Sequence, residues 1–100
     1  MITYNENIEF TGKQILLFST EWCPDCIMLK MYIDQVVSDN PEWEFIFIDS
    51  DLHPSITADY GILGIPSFVA LNNGEEVSNL ISKQAKPKEL INDWIAGIDA

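Results

Sequence analysis

A continuous, mostly apolar run at residues 14–19 (QILLFS) is the feature that most constrains the fold of this chain. A run of this length is typical of a central strand that is covered on both faces, as in sheets packed between helices. Within four residues of its end the chain reaches the segment 22–26 (Trp-Cys-Pro-Asp-Cys), which contains both of its cysteines. The fold must therefore hold two thiols close together, just beyond the end of a buried strand.

The residues after the cysteine pair predict a parallel β-α-β unit. Apolar residues recur at three-and-four spacing from Cys23 to about Asp39, which predicts a helix that opens at the pair and ends before Asn40-Pro41. Residues 44–49 (EFIFID) have the pattern of a second strand. Because two strands that run the same way with a helix between them form such a unit, the sheet is at least partly parallel.

The next part of the chain predicts a short helix and a hairpin. Residues 54–60 have the pattern of a helix, and Gly61 suits a left-handed cap at its end. Strand-like runs at residues 67–71 and 76–80 are separated by an Asn-Gly pair at 73–74. An Asn-Gly pair in this setting is a strong hairpin signal, so the sheet is expected to end in an antiparallel edge.

Pro87 opens the last predicted helix, in which one apolar stripe is suited to packing on a sheet. We therefore expect an α/β fold with a central mixed sheet of about four strands flanked by helices. A chain of 100 residues that is 47% hydrophobic has the size of one compact domain, so residues 1–100 are predicted to form a single unit.

The charge of the chain argues against several classes of partner. Sixteen acidic residues against five lysines give a formal net charge of −11, which repels nucleic-acid phosphates and anionic membrane surfaces. The first residues carry no positive stretch that leads into a long apolar segment, and no later apolar run approaches the length of a membrane span. We therefore expect a cytoplasmic protein that binds neither nucleic acid nor membranes.

The spacing of the two cysteines suits thiol-disulfide chemistry. At the first turn of a helix, free backbone N–H groups and a partial positive charge favour the thiolate form of Cys23, the predicted nucleophile. Cys26 lies one turn further on, within reach of a mixed disulfide on Cys23, and is the predicted resolving thiol. Pro24 suits this turn because its φ is already fixed near the helical value. The carboxylate of Asp25 opposes a second negative charge on Cys23.

Two other interpretations of the cysteine pair stay open. The pair is half of a zinc or iron-sulfur site in some proteins, but such sites need four ligands and this chain adds only His53. A metal site would therefore have to be shared between two chains. The two thiols could also be buried and inert. We favour redox chemistry with no metal and no cofactor beyond a Cys23–Cys26 disulfide.

Three segments make the chain similar to the thioredoxin superfamily: residues 15–26, residues 60–68 (YGILGIPSF), and the hairpin followed by the final helix. Pro-Asp between the cysteines resembles a branch of small thioredoxin-related proteins, whereas thioredoxin proper has Gly-Pro. The resemblance implies a thioredoxin-like fold and a cis Ile65-Pro66 bond, with Pro66 against the disulfide and the Ile65 backbone pairing with substrate. It also implies that Trp22 forms one side of the active site and contacts substrate. Without the family, Pro66 is a strand-entry proline and Trp22 a rim aromatic.

The chain departs from thioredoxin proper in three places. Leu17 stands where thioredoxins bury an acidic residue under the second cysteine, so the strand at residues 14–19 offers no buried acceptor for the Cys26 proton. Either Asp25 or solvent takes this proton, or the resolving step is slower. Met31 stands where thioredoxins have a mid-helix proline, so we expect less kink. Only about thirteen residues precede the first confident strand, so the N-terminal strand and helix are expected to be abbreviated.

The resemblance implies a thiol-disulfide oxidoreductase that acts as a reductant on disulfide-containing proteins or small disulfides. We expect it to act as a monomer and to be recycled by an enzyme of the thioredoxin-reductase type. The alternative is a redox-sensing adaptor that docks one protein partner through the groove around Trp22 and Pro66 without turnover.

Three of the five lysines, Lys83, Lys86 and Lys88, lie in the segment where the family places the border of the active site. A basic rim there would favour acidic partners or the thiolate form of Cys23. We favour the simpler interpretation, a solvated loop.

The charge of Asp25 gives a first testable prediction. Asp25→Asn removes a negative charge near Cys23 while keeping almost the same side-chain shape, so the Cys23 thiolate should be more populated at neutral pH. In a Cys26→Ser background, where a single thiol reacts, alkylation of Cys23 by iodoacetamide should become severalfold faster. An unchanged or slower rate would show that the carboxylate does not oppose the thiolate.

Overall fold

A mixed five-stranded sheet flanked by helices forms the centre of the protein. The computed structural model describes residues 1–81 and 86–99. In this part of the chain the elements are β1 (Ile2–Thr3), β2 (Lys13–Ser19), α1 (Pro24–Lys30), α2 (Ile33–Asp39), β3 (Glu44–Asp49), α3 (Pro54–Asp59), β4 (Ser67–Asn72), β5 (Glu75–Leu80) and α4 (Lys88–Ala96). The strand order is β1-β3-β2-β4-β5. Strands β1 and β2 run parallel to β3, whereas β4 is antiparallel to β2 and to β5.

The predicted α/β architecture is confirmed, with one strand more than the expected four. The additional strand is β1, two residues that pair with Ile46 and Phe47 of β3. It is the abbreviated N-terminal strand, and in the described chain no helix lies between β1 and β2. The other strands begin and end within one residue of their predicted bounds, α3 lies within residues 54–60, and α4 begins directly after Pro87.

Strand β2 is buried on both faces, as its apolar sequence predicts. Ile15 and Leu17 lie on one face, where they pack with residues of α1, α2 and α4. Leu16 and Phe18 lie on the other face, where they pack with the N-terminal segment and α3. Because β2 and β3 are parallel, their carboxyl ends meet at one edge of the sheet, and the cysteine segment follows from that edge.

The prediction of one helix from Cys23 to Asp39 is wrong, because the structure divides this segment into α1 and α2. The chain leaves the helical conformation at Tyr32, which has φ −137°. The N–H groups of Met31 and Tyr32 bond to carbonyl groups three residues back, each at 3.1 Å, the tighter pattern typical of a helix end. The Tyr32 hydroxyl donates a hydrogen bond to the backbone oxygen of Lys86. The interruption therefore lies at a tyrosine bonded to a distant segment and needs no proline, and the expected reduction in kink stays a prediction.

The hairpin predicted from the Asn-Gly pair is confirmed. Asn73 and Gly74 have positive φ values of 53° and 83°, as a two-residue type I′ turn requires. The Asn73 Oδ1 accepts a hydrogen bond from the Gly12 N–H at 2.8 Å, and the Asn73 N–H donates to the Gly12 oxygen at 2.9 Å. These bonds hold the turn against the segment that leads into β2.

Gly61 provides a test of the left-handed cap at the end of α3. Its φ is +64°, and an added Cβ would meet no atom within 4 Å, so a substitution there costs backbone strain alone. Gly61→Ala should lower the free energy of unfolding by about 1 kcal/mol, measured by urea denaturation. Gly97→Ala is the matched control, because Gly97 has φ −87° and its Cβ would make only ordinary contacts. Equal losses in the two variants would contradict this account.

Candidate active site

The two cysteines lie where β2 passes into α1, at the edge of the sheet. Strand β2 ends at Ser19, Cys23 is the N-cap residue of α1, and Pro24 occupies the first helical turn. The Cys23 oxygen accepts a hydrogen bond from the Ile27 N–H at 2.9 Å, which starts the helix. Cys26 is the third residue of α1 and is buried. The predicted cysteine pair is thus held at the start of one helix.

The two thiols differ in how far they reach the surface. Both are free, with Cys23 8% exposed and Cys26 fully buried. Burial raises the pKa of Cys26, because desolvation disfavours the charged form. Hydrogen bonds with the Ser19 side chain and the Thr20 backbone lower this pKa in part, whereas the neighbouring Cys23 raises it further. Cys23 is therefore the thiol that an incoming molecule reaches first, and Cys26 is the thiol that keeps its proton.

The loop that leads into β4 lies against Cys23. The Ile65-Pro66 bond is cis, as the resemblance implied. The Cys23 Sγ lies 3.8 Å from the backbone oxygen of Ile65, and Pro66 is buried. The backbone of Ile65 is thereby brought beside the more accessible of the two sulfurs.

Trp22 lies at the rim of the site with 65% of its surface exposed. Its indole N–H donates a hydrogen bond to the Asp51 Oδ2 at 2.7 Å. Asp51 lies in the turn after β3, where Asp49 Oδ1 accepts its N–H at 2.9 Å. The tryptophan is thus fixed along one edge while most of its ring stays open to solvent. The sequence carried no signal for this contact, because the two residues are 29 positions apart.

Lys86 is a residue of the site that the sequence interpretation missed. The expectation of a solvated loop is wrong for this lysine, because only 2% of it is exposed. Its Nζ donates a hydrogen bond to the Pro66 oxygen, and its backbone oxygen accepts one from the Tyr32 hydroxyl. No local pattern distinguishes it from its neighbours, since its burial depends on contacts distant in sequence. Lys83 lies outside the described residues, and Lys88 is half-buried at the start of α4.

Opposing effects act on the charge of Lys86. Desolvation by burial lowers the pKa of Lys86, whereas Cys26 in its thiolate form, the Asp25 carboxylate and Cys23 in its thiolate form raise it in part. Asp25 is half-buried in the first turn of α1. The protonation of Lys86 therefore depends in part on the charges of the cysteine pair.

Strand β2 itself carries no carboxylate at this site. Leu17 stands at the position where the resemblance implies a buried acid, and it is 2% exposed in the apolar core. Its register partners are Phe47 on β3 and Phe68 on β4. The neighbours of this position are therefore apolar on both sides.

Residues 1–81 and 86–99 contain neither a cluster of metal ligands nor a helix that could span a membrane. No group of three or more His, Cys, Asp or Glu side chains in those ranges is arranged to hold a metal ion. His53 lies edge-on against Tyr4, with the ring centroids 4.9 Å apart. Within the same ranges, none of the helices has the length and apolar character needed to cross a membrane.

Comparison with known proteins establishes the family. Residues 2–97 match the family model for thioredoxin. The thioredoxin of Rickettsia felis is 34% identical over 79 residues, which are 78% of this chain and 73% of the relative. That of Rickettsia typhi is 33% identical over 92 residues, 91% of this chain and 86% of the relative. Mitochondrial thioredoxin 3 of Saccharomyces cerevisiae has the same fold, with a TM-score of 0.75 and 23% identity over 88% of this chain and 81% of that one. The chain therefore belongs to the thioredoxin family and is a thiol-disulfide oxidoreductase.

Proposed function

We propose that this protein reduces disulfides through a Cys-Pro-Asp-Cys dithiol, with Cys23 as the nucleophile and Cys26 as the resolving thiol. The observation that carries the proposal is the unequal environment of two thiols in the first turns of one helix. Cys23 reaches the surface beside the Ile65 backbone, whereas Cys26 is buried and has a raised pKa. Two such thiols are suited to acting one after the other.

The first step is attack by Cys23 on a substrate disulfide. Cys23 is the N-cap residue of α1 and the more exposed of the two thiols, and a thiol attacks a disulfide in its thiolate form. This thiolate forms a bond to one substrate sulfur, and the other sulfur leaves as a thiolate that takes a proton from water. We assign Trp22 and the Ile65-Pro66 backbone to substrate binding, since the Ile65 oxygen lies 3.8 Å from the attacking sulfur.

The second step is attack by Cys26 on the Cys23 sulfur of the mixed disulfide. This attack forms the Cys23–Cys26 disulfide and releases the remaining substrate sulfur as a thiolate, so the dithiol is oxidised and the substrate reduced. Because burial raises the pKa of Cys26, its proton must leave as the attack begins. The redox-active disulfide is the only cofactor in this scheme.

We assign Pro24 and Asp25 to tuning the pair. Pro24 occupies the first turn of α1, where its fixed φ holds the backbone between the two sulfurs. Asp25 adds a carboxylate to the same turn. Because its charge opposes the Cys23 thiolate, it disfavours the reduced form and should make the pair more reducing.

The proposed substrates are proteins or small molecules that contain a disulfide, and an enzyme of the thioredoxin-reductase type would restore the dithiol. We propose the cytoplasm as the compartment, because a reducing environment keeps both thiols available. A net charge of −11 argues against nucleic acids and anionic membranes as partners. We propose that the protein acts as a monomer.

An exposed apolar surface around the motif favours a second candidate function. Trp22, Ile27, Met28 and Met31 are 65%, 50%, 54% and 83% exposed. Exposed apolar side chains on one segment of the chain suit the docking of a protein partner. In this alternative the protein is a redox-sensing adaptor that holds its partner in the groove around Trp22 and Pro66 and does not turn over.

Turnover with insulin separates the two candidates. With dithiothreitol, or with thioredoxin reductase and NADPH, the wild-type protein should accelerate reduction of the insulin disulfides, followed as turbidity when the freed chain precipitates. Cys23→Ser should abolish the acceleration, because the nucleophile is lost. If neither reductant supports turnover and a partner is captured tightly instead, the adaptor is favoured.

The burial of Cys26 gives a pH-dependent prediction. Desolvation is the largest cause of its raised pKa and persists in Cys23→Ser, so the folded variant should hold the Cys26 proton at pH values where the unfolded chain has lost it. The midpoint of Cys26 alkylation against pH should therefore be higher in the folded variant than in urea. A folded midpoint equal to or below the unfolded one would contradict this description of Cys26.

A further inference from the structure

Lys86 is a buried charged side chain that the two-step scheme above does not use. Only 2% of it is exposed, although lysines are almost never fully buried unless their charge is paired. We propose that Lys86 is a positioning residue that stabilises the negative charge forming on Cys26 as it resolves the mixed disulfide. The inference rests on the proposed function, and it names the group that supports the resolving step.

The first support is the position of the Lys86 ammonium relative to the site loop. The Nζ donates a hydrogen bond to the Pro66 oxygen, and the Cys23 Sγ lies 3.8 Å from the Ile65 oxygen. These two carbonyl groups are adjacent in the chain. The lysine charge and the nucleophilic sulfur therefore lie against the same dipeptide.

The second support is a contact that holds Lys86 from the other side. The Tyr32 hydroxyl donates a hydrogen bond to the Lys86 backbone oxygen. Tyr32 lies two residues after the end of α1, the helix that carries Cys26, and it packs against the apolar core. Lys86 is thus held between the end of α1 and the loop that leads into β4.

The third support is the set of titratable groups that surround Lys86. Among the described residues of the motif and α1 these are Cys23, Asp25 and Cys26, whose negative charges partly offset the lowering of the Lys86 pKa by burial. Tyr32 stays neutral because burial, with Glu89 and Asp25 acting in the same direction, raises its pKa. On α4, Lys88 and Glu89 begin the helix. The parts of β2 and β4 next to the site, residues 17–19 and 67–69, carry no titratable side chain.

The apolar surroundings of Leu17 explain why a cation is needed. In the described sheet the register partners of Leu17 are the uncharged Phe47 and Phe68. Cys26 is itself fully buried, so a thiolate on it would form in a desolvated place. A fixed positive charge favours the charged form of a nearby acid. In the resolving step Cys26 loses its proton to water, forms the bond to Cys23 and displaces the substrate thiolate, and Lys86 stays protonated throughout.

Reaction of the reduced protein with dithiodipyridine measures each step separately. A first thiopyridone is released when Cys23 attacks the reagent, and a second when Cys26 resolves the mixed disulfide. In Lys86→Met the second release should slow about three- to tenfold at pH 7 and move to higher pH, and it should change more than the first. Lys86→Arg keeps the charge and should restore the wild-type pH profile. Lys30→Met, at an exposed lysine of α1, is the matched control and should leave both phases unchanged.

Each contrary outcome has a distinct meaning. If both phases are present and Lys86→Met has the wild-type pH profile, the role of Lys86 is overturned and the reductase proposal stands. Equal slowing in Lys86→Met and Lys86→Arg would also overturn it, because the side chain would then matter only for structure. If the wild-type protein shows no first phase, the proposed function itself fails and this inference with it.

A measurement on the wild-type protein covers the case in which Lys86→Met does not fold. Coupling between two titrating groups is reciprocal, so a thiolate that Lys86 stabilises must also stabilise the Lys86 ammonium. The pKa of Lys86, followed by NMR of its Cε, should therefore be higher in the dithiol form than in the disulfide form. Identical titrations in the two forms would overturn the proposal.

Discussion

The burial of β2 on both faces is the constraint on which the rest of the structure depends. Its alternate side chains enter two separate apolar clusters, so a shift of one residue in its pairing would exchange the two faces and place each set of side chains in a cluster shaped for the other. Parallel pairing with β3 and antiparallel pairing with β4 fix the register from both sides. The end of β2 is thereby fixed, and with it the point at which Cys23 opens α1. The site is positioned by the core of the sheet.

The difference between the two thiols follows from the geometry of α1. Cys23 is the N-cap residue, outside the first turn, whereas Cys26 lies one turn later and is buried. One sulfur therefore belongs to a residue that is 8% exposed, and it lies 3.8 Å from the Ile65 oxygen. The other sulfur meets apolar packing that raises its pKa, and the Ser19 and Thr20 hydrogen bonds offset this effect in part. Two identical side chains acquire different chemistry because of where the helix begins.

The parts of the structure that could be predicted from sequence are those with local causes. The apolar run of β2, the Asn73-Gly74 turn and the Gly61 cap each depend on a few adjacent residues, and each was found within a residue or two of its predicted place. The position of the cysteines at a helix start was predictable for the same reason.

The features that sequence reasoning missed depend on distant contacts. The break between α1 and α2 lies at Tyr32, whose hydroxyl bonds to a carbonyl oxygen 54 residues away. The same carbonyl belongs to Lys86, which was expected to be solvated because it is one of three lysines clustered in one loop. The position of Trp22 also depends on a distant contact, because its indole N–H donates a hydrogen bond to Asp51, 29 residues away. Local propensity carries no information on which distant side chain completes a site.

The central claim is the order in which the two thiols act, and trapping the mixed disulfide tests it most directly. Cys26→Ser and Cys23→Ser are each incubated with a peptide that contains one disulfide, and the products are resolved by intact-mass spectrometry without reductant. The account predicts that Cys26→Ser accumulates a one-to-one mixed disulfide through Cys23, while Cys23→Ser accumulates none on the same timescale. Accumulation in Cys23→Ser at an equal or greater rate would contradict the assignment of Cys23 as the attacking thiol.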